Sequence, residues 1–502
     1  MIAMIRRIDN SSRATILWSI AILATLVVTG KFLVISPILA IGITAIAVVL
    51  VAAPAVDFLC VVTFWVLPYL VVNLPTGVFT LKLPEVAAYS FCTAWLARAL
   101  LRREQIAFPP ATTQVCLYLA ALCLSSMFAS PIPIPYTGAV SALDRNSPYL
   151  RPMSLIIWLS LGWLVVIALY NTIGRRPDLF RLCLKGHILG GGVASLVSII
   201  MYGLTLGGMT ITNLGGAGLT RNLVPLNGSI FRLAGVSYEP LNLAFYLQTV
   251  IPVTLIAMMN QPKWLSMKLT TASFCLQVLT MILTFSSGGI AGIGVAFLFL
   301  FPLFRQQRID PRMLRTLTWI TIIGISSAVV VIIANPNVFL LVQSTLAKIF
   351  EGADLQRWAE WTTGWRQWLA HPLFGSGPGL GSFWFAKYSP TVVNNGLSPT
   401  MEVNSVPFNS LGETGLVGTL ALGACVIFGM GRLLSAIKRR GMVNVPVLSA
   451  FAASLIGVGI QYLSLNSLFL IYFSVVIGIA VASERLAMTG NGIDVFVESS
   501  PS

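Results

Sequence analysis

Long apolar runs, each of 17 to 25 residues, recur from one end of this 502-residue chain to the other. Each run can cross the ~30 Å hydrocarbon core of a bilayer as a single helix. A helix also satisfies its own backbone hydrogen bonds, which hydrocarbon requires. The runs therefore predict an all-α, polytopic integral membrane protein with about 12–14 transmembrane helices. They lie at roughly 14–30, 32–54, 56–74, 84–101, 112–130, 153–173, 183–205, 240–259, 268–286, 288–304, 316–334, 409–432, 446–465 and 466–483.

The composition is typical of a membrane protein that forms one domain. Hydrophobic residues make up 56% of the chain and charged residues 9%, against about 25% charged residues in soluble domains. We find no internal repeat that would divide the chain. We therefore expect a single polytopic domain over residues 1–488, followed by a short polar tail, 489–502, that is cytoplasmic and disordered.

The net charge of +15 is distributed unevenly among the loops. If the N-terminus is cytoplasmic, 21 of the 31 lysines and arginines fall in cytoplasmic loops, as the positive-inside rule requires. This distribution predicts that both termini are cytoplasmic and that the long loop 335–408 is periplasmic. The positive charge is thus explained by topology, and we expect no nucleic-acid partner. Ten cations remain on the predicted periplasmic side: Lys31, Lys82, Arg145, Arg151, Arg221, Arg232, Lys348, Arg357, Arg366 and Lys387.

The loop 335–408 is predicted to contain an amphipathic helix over about 342–370. At 100° per residue, four tryptophans share a stripe about 80° wide. They are Trp358, Trp361, Trp365 and Trp368. Arg357 and Arg366 flank the stripe on opposite sides, and Glu360 faces away from it. Tryptophan and arginine suit the headgroup region of a bilayer, but a helix of this pattern could equally rest on the helix bundle.

A glycine-rich segment follows the predicted helix, which we expect to end before Pro372. Glycines at 375, 377, 379 and 381 impose a tight, irregular turn. Such a turn can bring backbone N–H groups to an anion, or it can be a bend with no further role. Both interpretations are open from the sequence.

Arginines beside aromatic rings at headgroup depth favour a lipid-linked phosphate or diphosphate. A guanidinium group binds phosphate in a bidentate fork and keeps its charge. Fixed arginines can also stabilise a diphosphate leaving group without a metal. The predicted periplasmic loops contain no acidic cluster of the Asp-x-Asp kind, so we expect no metal and no cofactor. These features indicate a glycosyltransferase that uses a polyprenyl-diphosphate sugar.

Three segments resemble the bacterial O-antigen ligase and O-antigen polymerase superfamily. The first is Arg232-Leu233-Ala234-Gly235, followed by Pro240 at the start of an apolar run. The second is Ser286-Ser287-Gly288, where the family usually has Ser-Arg-Gly. The third extends from Arg357 through His371-Pro372-Leu373-x-Gly375 to Asn404 and Glu413-Thr414-Gly415. Together they cover roughly residues 220–435.

The resemblance implies an undecaprenyl-diphosphate-linked glycan as donor and a glycan or lipid as acceptor. Arg232 and Arg357 match the family's diphosphate-binding arginines best, and Arg221 and Arg366 are second choices. Trp358 and Trp361 are further candidates for binding the glycan. In the ligases a histidine stands nine residues before the glutamate of the third segment, where this chain has Asn404.

An asparagine cannot act as a general base, so other residues must be considered for that role. The candidates are Glu402, Glu239 and His371, with Asn404 kept as a site residue. The position of His371 in the His-Pro-Leu-x-Gly turn favours a structural role for it. Glu413 is expected to cap or pack the helix that follows.

The function predicted from these patterns is polymerisation of the repeat units of an O-antigen or exopolysaccharide at the periplasmic face of the bacterial inner membrane. The absence of the ligase histidine favours a polymerase over the alternative, a ligase that transfers the glycan to lipid A-core. A flippase or transporter of lipid-linked glycans is a more remote alternative. It would need charged groups along a central path, and charged residues inside the apolar runs are scarce.

Overall fold

The protein is described here by a computed structural model that covers residues 55–70, 73–75, 80–132, 151–206, 223–225, 231–237, 239–306, 355–390, 402–438, 445–466 and 471–488. Within these ranges the chain forms thirteen α-helices and two short antiparallel hairpins. Predictions for residues 1–54, the apolar run 316–334, Arg221 and the tail 489–502 lie outside the described residues.

The helices follow the predicted apolar runs closely. They are α1 (Ala55–Val66), α2 (Leu83–Arg102), α3 (Thr112–Met127), α4 (Arg151–Thr172), α5 (Pro177–Leu206), α6 (Pro240–Asn260), α7 (Met267–Leu283), α8 (Ser287–Gln306), α9 (Leu355–Ala370), α10 (Phe385–Tyr388), α11 (Val406–Lys438), α12 (Val445–Gln461) and α13 (Ile471–Met488). Among the described helices, α4, α5, α6, α11 and α13 are long and apolar enough to span a membrane, and five shorter helices are also apolar. The prediction of an all-α polytopic membrane protein is confirmed.

Two hairpins, which the apolar pattern did not predict, lie in loops. Strands β1 (Asn73–Pro75) and β2 (Thr80–Lys82) pair antiparallel, as do β3 (Leu223–Pro225) and β4 (Phe231–Leu233). The second hairpin leads through a 3₁₀ turn at Gly235–Ser237 into α6. It shares one end of the helix bundle with residues 355–390, 402–405 and 462–466. We call this the loop end, and it corresponds to the predicted periplasmic side.

Helix α6 is the centre of the bundle and is packed against α5, α7, α8 and α12. Its side chains are buried from Leu243 to Met258. Glycines allow the neighbouring helices to approach closely: a Cβ added to Gly292 of α8 would lie 2.5 Å from the carbonyl oxygen of Gly457 of α12. Small residues play this role in membrane bundles because lipid supplies no hydrophobic force between helices. The rigid bundle fixes the positions of the loops at its end.

Helix α9 lies at the loop end and packs on the first turns of α11. Two glycines permit this contact, since a Cβ at Gly364 would lie 2.6 Å from the Phe408 carbonyl oxygen and one at Gly412 would lie 2.8 Å from Gln367 Oε1. α9 ends at Ala370, before Pro372, as predicted. The predicted segment 342–354 of this helix lies outside the described residues.

Candidate active site at the loop end

Arg232 and Arg357 come from separate parts of the chain and lie close enough to influence each other electrostatically. Arg232, on β4, donates from Nε to the Thr284 carbonyl oxygen at 3.0 Å. Arg357, on the first turn of α9, donates from Nη1 to the Ser464 carbonyl oxygen at 3.0 Å. Burial lowers the pKa of Arg232, and the positive charge of Arg357 lowers it further. Two neighbouring guanidinium groups, each held by a backbone carbonyl, create a site that favours an anion.

Glu239 is the acidic member of this cluster. It is the extended residue before Pro240, where α6 begins, and its negative charge raises the pKa of Arg232. Its side chain is partly exposed. The structure therefore brings together three of the residues singled out in the sequence, two as cations and one as a carboxylate. We call Arg232, Arg357 and Glu239 the arginine cluster.

Asn404 is bound to a buried carboxylate. Its backbone N donates to Glu360 Oε2 at 3.1 Å and its side-chain Nδ2 donates to Glu360 Oε1 at 3.3 Å. Glu360 is 1% exposed, so the face of α9 opposite the tryptophan stripe packs onto the protein. Glu360 thereby fixes the segment 402–405. Because the Asn404 amide is committed as a donor here, it positions the chain, in keeping with its inability to act as a base.

A polar cavity of about 250 Å³ opens between the loop end and the helices α2, α3, α4 and α11. Arg151, the first residue of α4, donates from Nη2 to Glu402 Oε1 and from Nη1 to Ser382 Oγ at 2.9 Å. The Glu402 side chain is 47% exposed and the Arg151 side chain 23%. Apolar residues form part of the lining, and the other polar and aromatic residues on it are Lys82, Glu85, Tyr118, Ser154, Trp158, Asn409, Ser410, Glu413, Thr414 and Asn466.

Two loop segments connect the polar cavity with the arginine cluster. In one, Glu402 lines the cavity and Asn404, two residues later, binds Glu360 of α9. In the other, the Ser464 carbonyl binds Arg357, while Asn466 lines the cavity. Two residues span at most roughly 7 Å. The cavity and the arginine cluster therefore lie near each other at the loop end.

The glycine turn does hold an anion, but the anion belongs to the protein. Gly379 N donates to Glu413 Oε2 at 2.8 Å and Gly381 N donates to Glu413 Oε1 at 2.9 Å. Gly375 and Gly379 have φ values of +71° and +73°, a conformation that favours glycine. The suggestion that this turn could receive a substrate phosphate is therefore corrected, because the two donors are taken by Glu413.

His371 lies in the turn after α9, with Nδ1 3.0 Å from Ser130 Oγ. Its ring contacts the edge of Trp384 at a centroid distance of 5.0 Å, and its carbonyl oxygen accepts from Gly375 N. Burial lowers the pKa of His371, and the charge of Lys387 lowers it further. These contacts join α3, α9 and the glycine turn, which agrees with the expectation of a structural role.

The lowered pKa of His371 predicts a pH dependence of stability. The unfolded histidine takes up a proton near pH 6.5, whereas the folded one does so at lower pH. Stability should therefore be constant above about pH 6.5 and fall as the pH drops below it. Thermal unfolding of purified protein between pH 5 and 8 measures this. The fall should be smaller in His371→Gln, and an equal fall in both proteins would contradict the prediction.

Two of the four tryptophans of the stripe, Trp358 and Trp365, face outward from the bundle. Trp358 is 62% exposed and Trp365 45% exposed, while Trp361 stacks on Phe408 with centroids 5.5 Å apart. This arrangement favours the interfacial interpretation for the exposed rings. Arg366 does not join the arginine cluster. It lies nine residues after Arg357, on the opposite face and about 13 Å along the helix, and is exposed with Nη1 2.7 Å from the Tyr388 carbonyl oxygen.

The sequence analysis did not single out Arg151 as a site residue. Its only signal was membership in the set of ten predicted periplasmic cations. Its role depends on Ser382 and Glu402, which lie more than two hundred residues further along the chain. Among the described residues no group of three or more histidine, cysteine or acidic side chains is arranged to hold a metal ion.

Comparison with known proteins gives a family match. A family model described as O-antigen ligase matches residues 272–423, a segment that runs from α7 into α11 and contains Arg357, His371, Glu402 and Asn404. No curated protein matches the chain. Arg232 and Glu239 precede the matched segment but face it in the fold. The match covers less than a third of the chain, and together with the helical membrane architecture it supports the resemblance to the O-antigen ligase and O-antigen polymerase superfamily.

Proposed function

We propose that this protein is a glycosyltransferase that takes an undecaprenyl-diphosphate-linked glycan as donor and polymerises repeat units of a surface polysaccharide at the periplasmic face. The arrangement of Arg232 beside Arg357 supports this proposal most directly. Both side chains are anchored by backbone carbonyls and are permanently charged, as recognition of a diphosphate requires. In this proposal the donor diphosphate binds to the arginine cluster.

The transfer consists of one displacement at the anomeric carbon of the donor. The hydroxyl oxygen of the acceptor forms a bond to that carbon, and the bond between the carbon and the diphosphate oxygen breaks. Undecaprenyl diphosphate leaves with the electron pair, and the hydroxyl proton passes to a base. A single displacement inverts the anomeric configuration. The leaving diphosphate gains negative charge, which the fixed guanidinium groups stabilise without reorganisation.

Glu402 is the base that we favour. Its carboxylate lines the polar cavity, and the ion pair with Arg151 orients it. The cavity offers amide and hydroxyl groups and the Trp158 ring, a set suited to the hydroxyls and apolar face of a sugar. In this proposal the acceptor glycan in the cavity reaches the anomeric carbon of a donor whose diphosphate is at the arginine cluster. Glu239, in the arginine cluster itself, is the alternative base.

An assay on purified protein tests the proposal. The substrate is a synthetic undecaprenyl-diphosphate-linked repeat unit, and the products are separated by length. We expect a ladder of longer glycans, unchanged by EDTA, because no step uses a metal. Glu402→Gln should reduce turnover about 100-fold or more, while Glu239→Gln should retain it. The reverse result would transfer the role of base to Glu239, and no product from the wild-type protein would refute the function.

A ligase reaction is the second candidate, because the matched family model is described as O-antigen ligase. The two reactions share the donor and differ in acceptor. Deletion of the gene from the source organism separates them. A polymerase deletion leaves surface glycans with a single repeat unit, whereas a ligase deletion leaves lipid-linked polymer that is absent from lipid A-core. This chain has Asn404 where a ligase has histidine, which favours the outcome expected for a polymerase.

A further inference from the structure

The Asn404 side chain is bound on one side and open on the other. Glu360 accepts from the Asn404 backbone N at 3.1 Å and from its Nδ2 at 3.3 Å. Because an ionised carboxylate has acceptors only, Nδ2 must face Glu360, and the amide oxygen Oδ1 must face away from it. Among the described residues none donates a hydrogen bond to Oδ1, and Asn404 is partly exposed. Oδ1 is therefore an acceptor that a ligand can use.

The orientation of this amide is fixed by packing on both sides of it. Glu360 is 1% exposed and lies on the face of α9 that packs onto the protein. Val403, the residue before Asn404, is fully buried. The Val406 N donates to the carbonyl oxygen of Tyr462 at 2.9 Å, which ties the start of α11 to the end of α12. Oδ1 thus has its direction before a ligand arrives, so little conformational freedom is lost on binding.

The amide also lies close to the arginine cluster. Its partner Glu360 follows Arg357 on α9 by three residues, which is about 4.5 Å along the helix axis. Ser464, whose carbonyl oxygen holds Arg357, comes two residues after Tyr462, the partner of the α11 start. A diphosphate bound at the arginine cluster would therefore place the sugar attached to it next to Asn404.

We infer that Asn404 Oδ1 accepts a hydrogen bond from a hydroxyl group of the donor sugar attached to the diphosphate, and that Glu360 is the positioning residue for this contact. This inference rests on the proposed function and adds to it a contact that selects the donor by its first sugar. The contact transfers no proton. Asn404 stays a neutral amide, so the role of base in the transfer remains with Glu402.

Two variants remove the contact in different ways. Asn404→Ala deletes the acceptor. Glu360→Gln keeps the size of the side chain but replaces one acceptor with an N–H donor group. The backbone N of Asn404 needs the remaining acceptor, so the new donor faces the Asn404 side chain. The Asn404 amide should then turn over and present Nδ2, instead of Oδ1, to the sugar.

Thr363→Val is the matched control for loosening of α9. Thr363 lies on the same packed face as Glu360 and is fully buried. Its hydroxyl is 2.8 Å from Ser389 Oγ, and valine removes that hydrogen bond with little change in volume. The contact between Glu360 and Asn404 is left in place. This variant shows what weaker packing of α9 does by itself.

The experiment measures dissociation constants of undecaprenyl diphosphate that carries one sugar, with purified full-length protein and no acceptor. Each hydroxyl of the sugar is replaced in turn by hydrogen or by fluorine, neither of which donates a proton. Binding that Arg357→Ala abolishes is assigned to the arginine cluster. For the wild-type protein we expect one position at which both replacements weaken binding about fivefold, as loss of one hydrogen bond does.

The variants should change this pattern in distinct ways. Asn404→Ala should bind the parent sugar and its hydrogen analogue equally at that position. Glu360→Gln should bind the fluorine analogue more tightly than the hydrogen analogue, because Nδ2 can donate to fluorine whereas Oδ1 repels it. Thr363→Val should keep the wild-type ratios. A purely structural role of Glu360 would not change the order of the two analogues.

The inference is overturned if Asn404→Ala keeps the wild-type preference for every hydroxyl, if Thr363→Val loses it as well, or if Glu360→Gln ranks the analogues as the wild-type protein does. The measurement does not depend on turnover. Normal product without these affinity differences would refute the contact alone. The differences without any product would refute the proposed polymerisation and leave the contact standing, and a wild-type protein that does not bind the lipid-linked sugar would refute both.

Discussion

Replacement of Arg357 by alanine is expected to reduce glycosyl transfer about 100-fold or more, with the protein still folded and inserted. The charge of its guanidinium group is felt by Arg232, and the group is held by the Ser464 carbonyl, so it is already in place when the diphosphate leaves. Loss of one fixed donor to developing negative charge has effects of this size in other enzymes. The yield and length of product made by the purified variant measure it.

Arg366→Ala is the matched control. Arg366 is on the same helix and has the same side chain, but it is exposed and contacts the Tyr388 carbonyl, away from the arginine cluster. We expect its product to be near normal. Arg357→Lys keeps the charge but loses the fork geometry of the guanidinium group. Its product yield should therefore lie between those of the wild-type protein and Arg357→Ala. Normal product from Arg357→Ala would refute the diphosphate role of the cluster.

The second large effect is expected on stability. Glu413→Ala should destabilise the folded protein by about 3 kcal/mol, because the N–H groups of Gly379 and Gly381 lose a charged partner inside the protein. Glu413 is 7% exposed, and alanine offers these two N–H groups no acceptor in its place. The loss would release the glycine turn that carries Ser382, a partner of Arg151. Thermal unfolding of the purified protein in detergent measures the change.

Glu402→Gln provides the comparison. Its carboxylate is about half exposed and forms an ion pair with a partly exposed partner, so the change in stability should be below about 1 kcal/mol, although turnover falls. Glu413→Ala should thus lower the stability of the protein, whereas Glu402→Gln should lower its turnover with little change in stability. Equal melting temperatures for Glu413→Ala and the wild-type protein would show that the turn is held by other contacts.

The helix boundaries could be predicted because their causes are local. The pattern of apolar runs located the ends of α2 to α8 and α11 to α13 to within about six residues, since a bilayer requires continuous apolar segments. The end of α9 could be predicted from Pro372, because a proline ring clashes with a helical conformation of the residue before it. The hairpins β1–β2 and β3–β4 were missed because three-residue strands are too short to show an alternating pattern.

The environment of each face of α9 could not be predicted from the helical period of its sequence. The angles of its tryptophans and arginines were correct, and Glu360 faces away from the stripe. The pattern could not decide what lies against each face. The packed face proved to contain Glu360, Thr363 and Gln367, because small glycines let α9 approach α11 and buried partners satisfy its polar groups. An amphipathic pattern alone favours the opposite arrangement, with the most polar face exposed.

The sequence by itself determined the membrane class, the helical fold, the limits of most described helices and the family resemblance that led to Arg232 and Arg357. Only the tertiary structure decided that Arg232 lies within electrostatic range of Arg357, that Arg151 joins Glu402 at a polar cavity, and that the glycine turn is filled by Glu413. The physical reason is that periodicity and residue type describe neighbours along one helix. Contacts between distant segments depend on how close the helices pack, which the glycines of α8, α9, α11 and α12 set jointly.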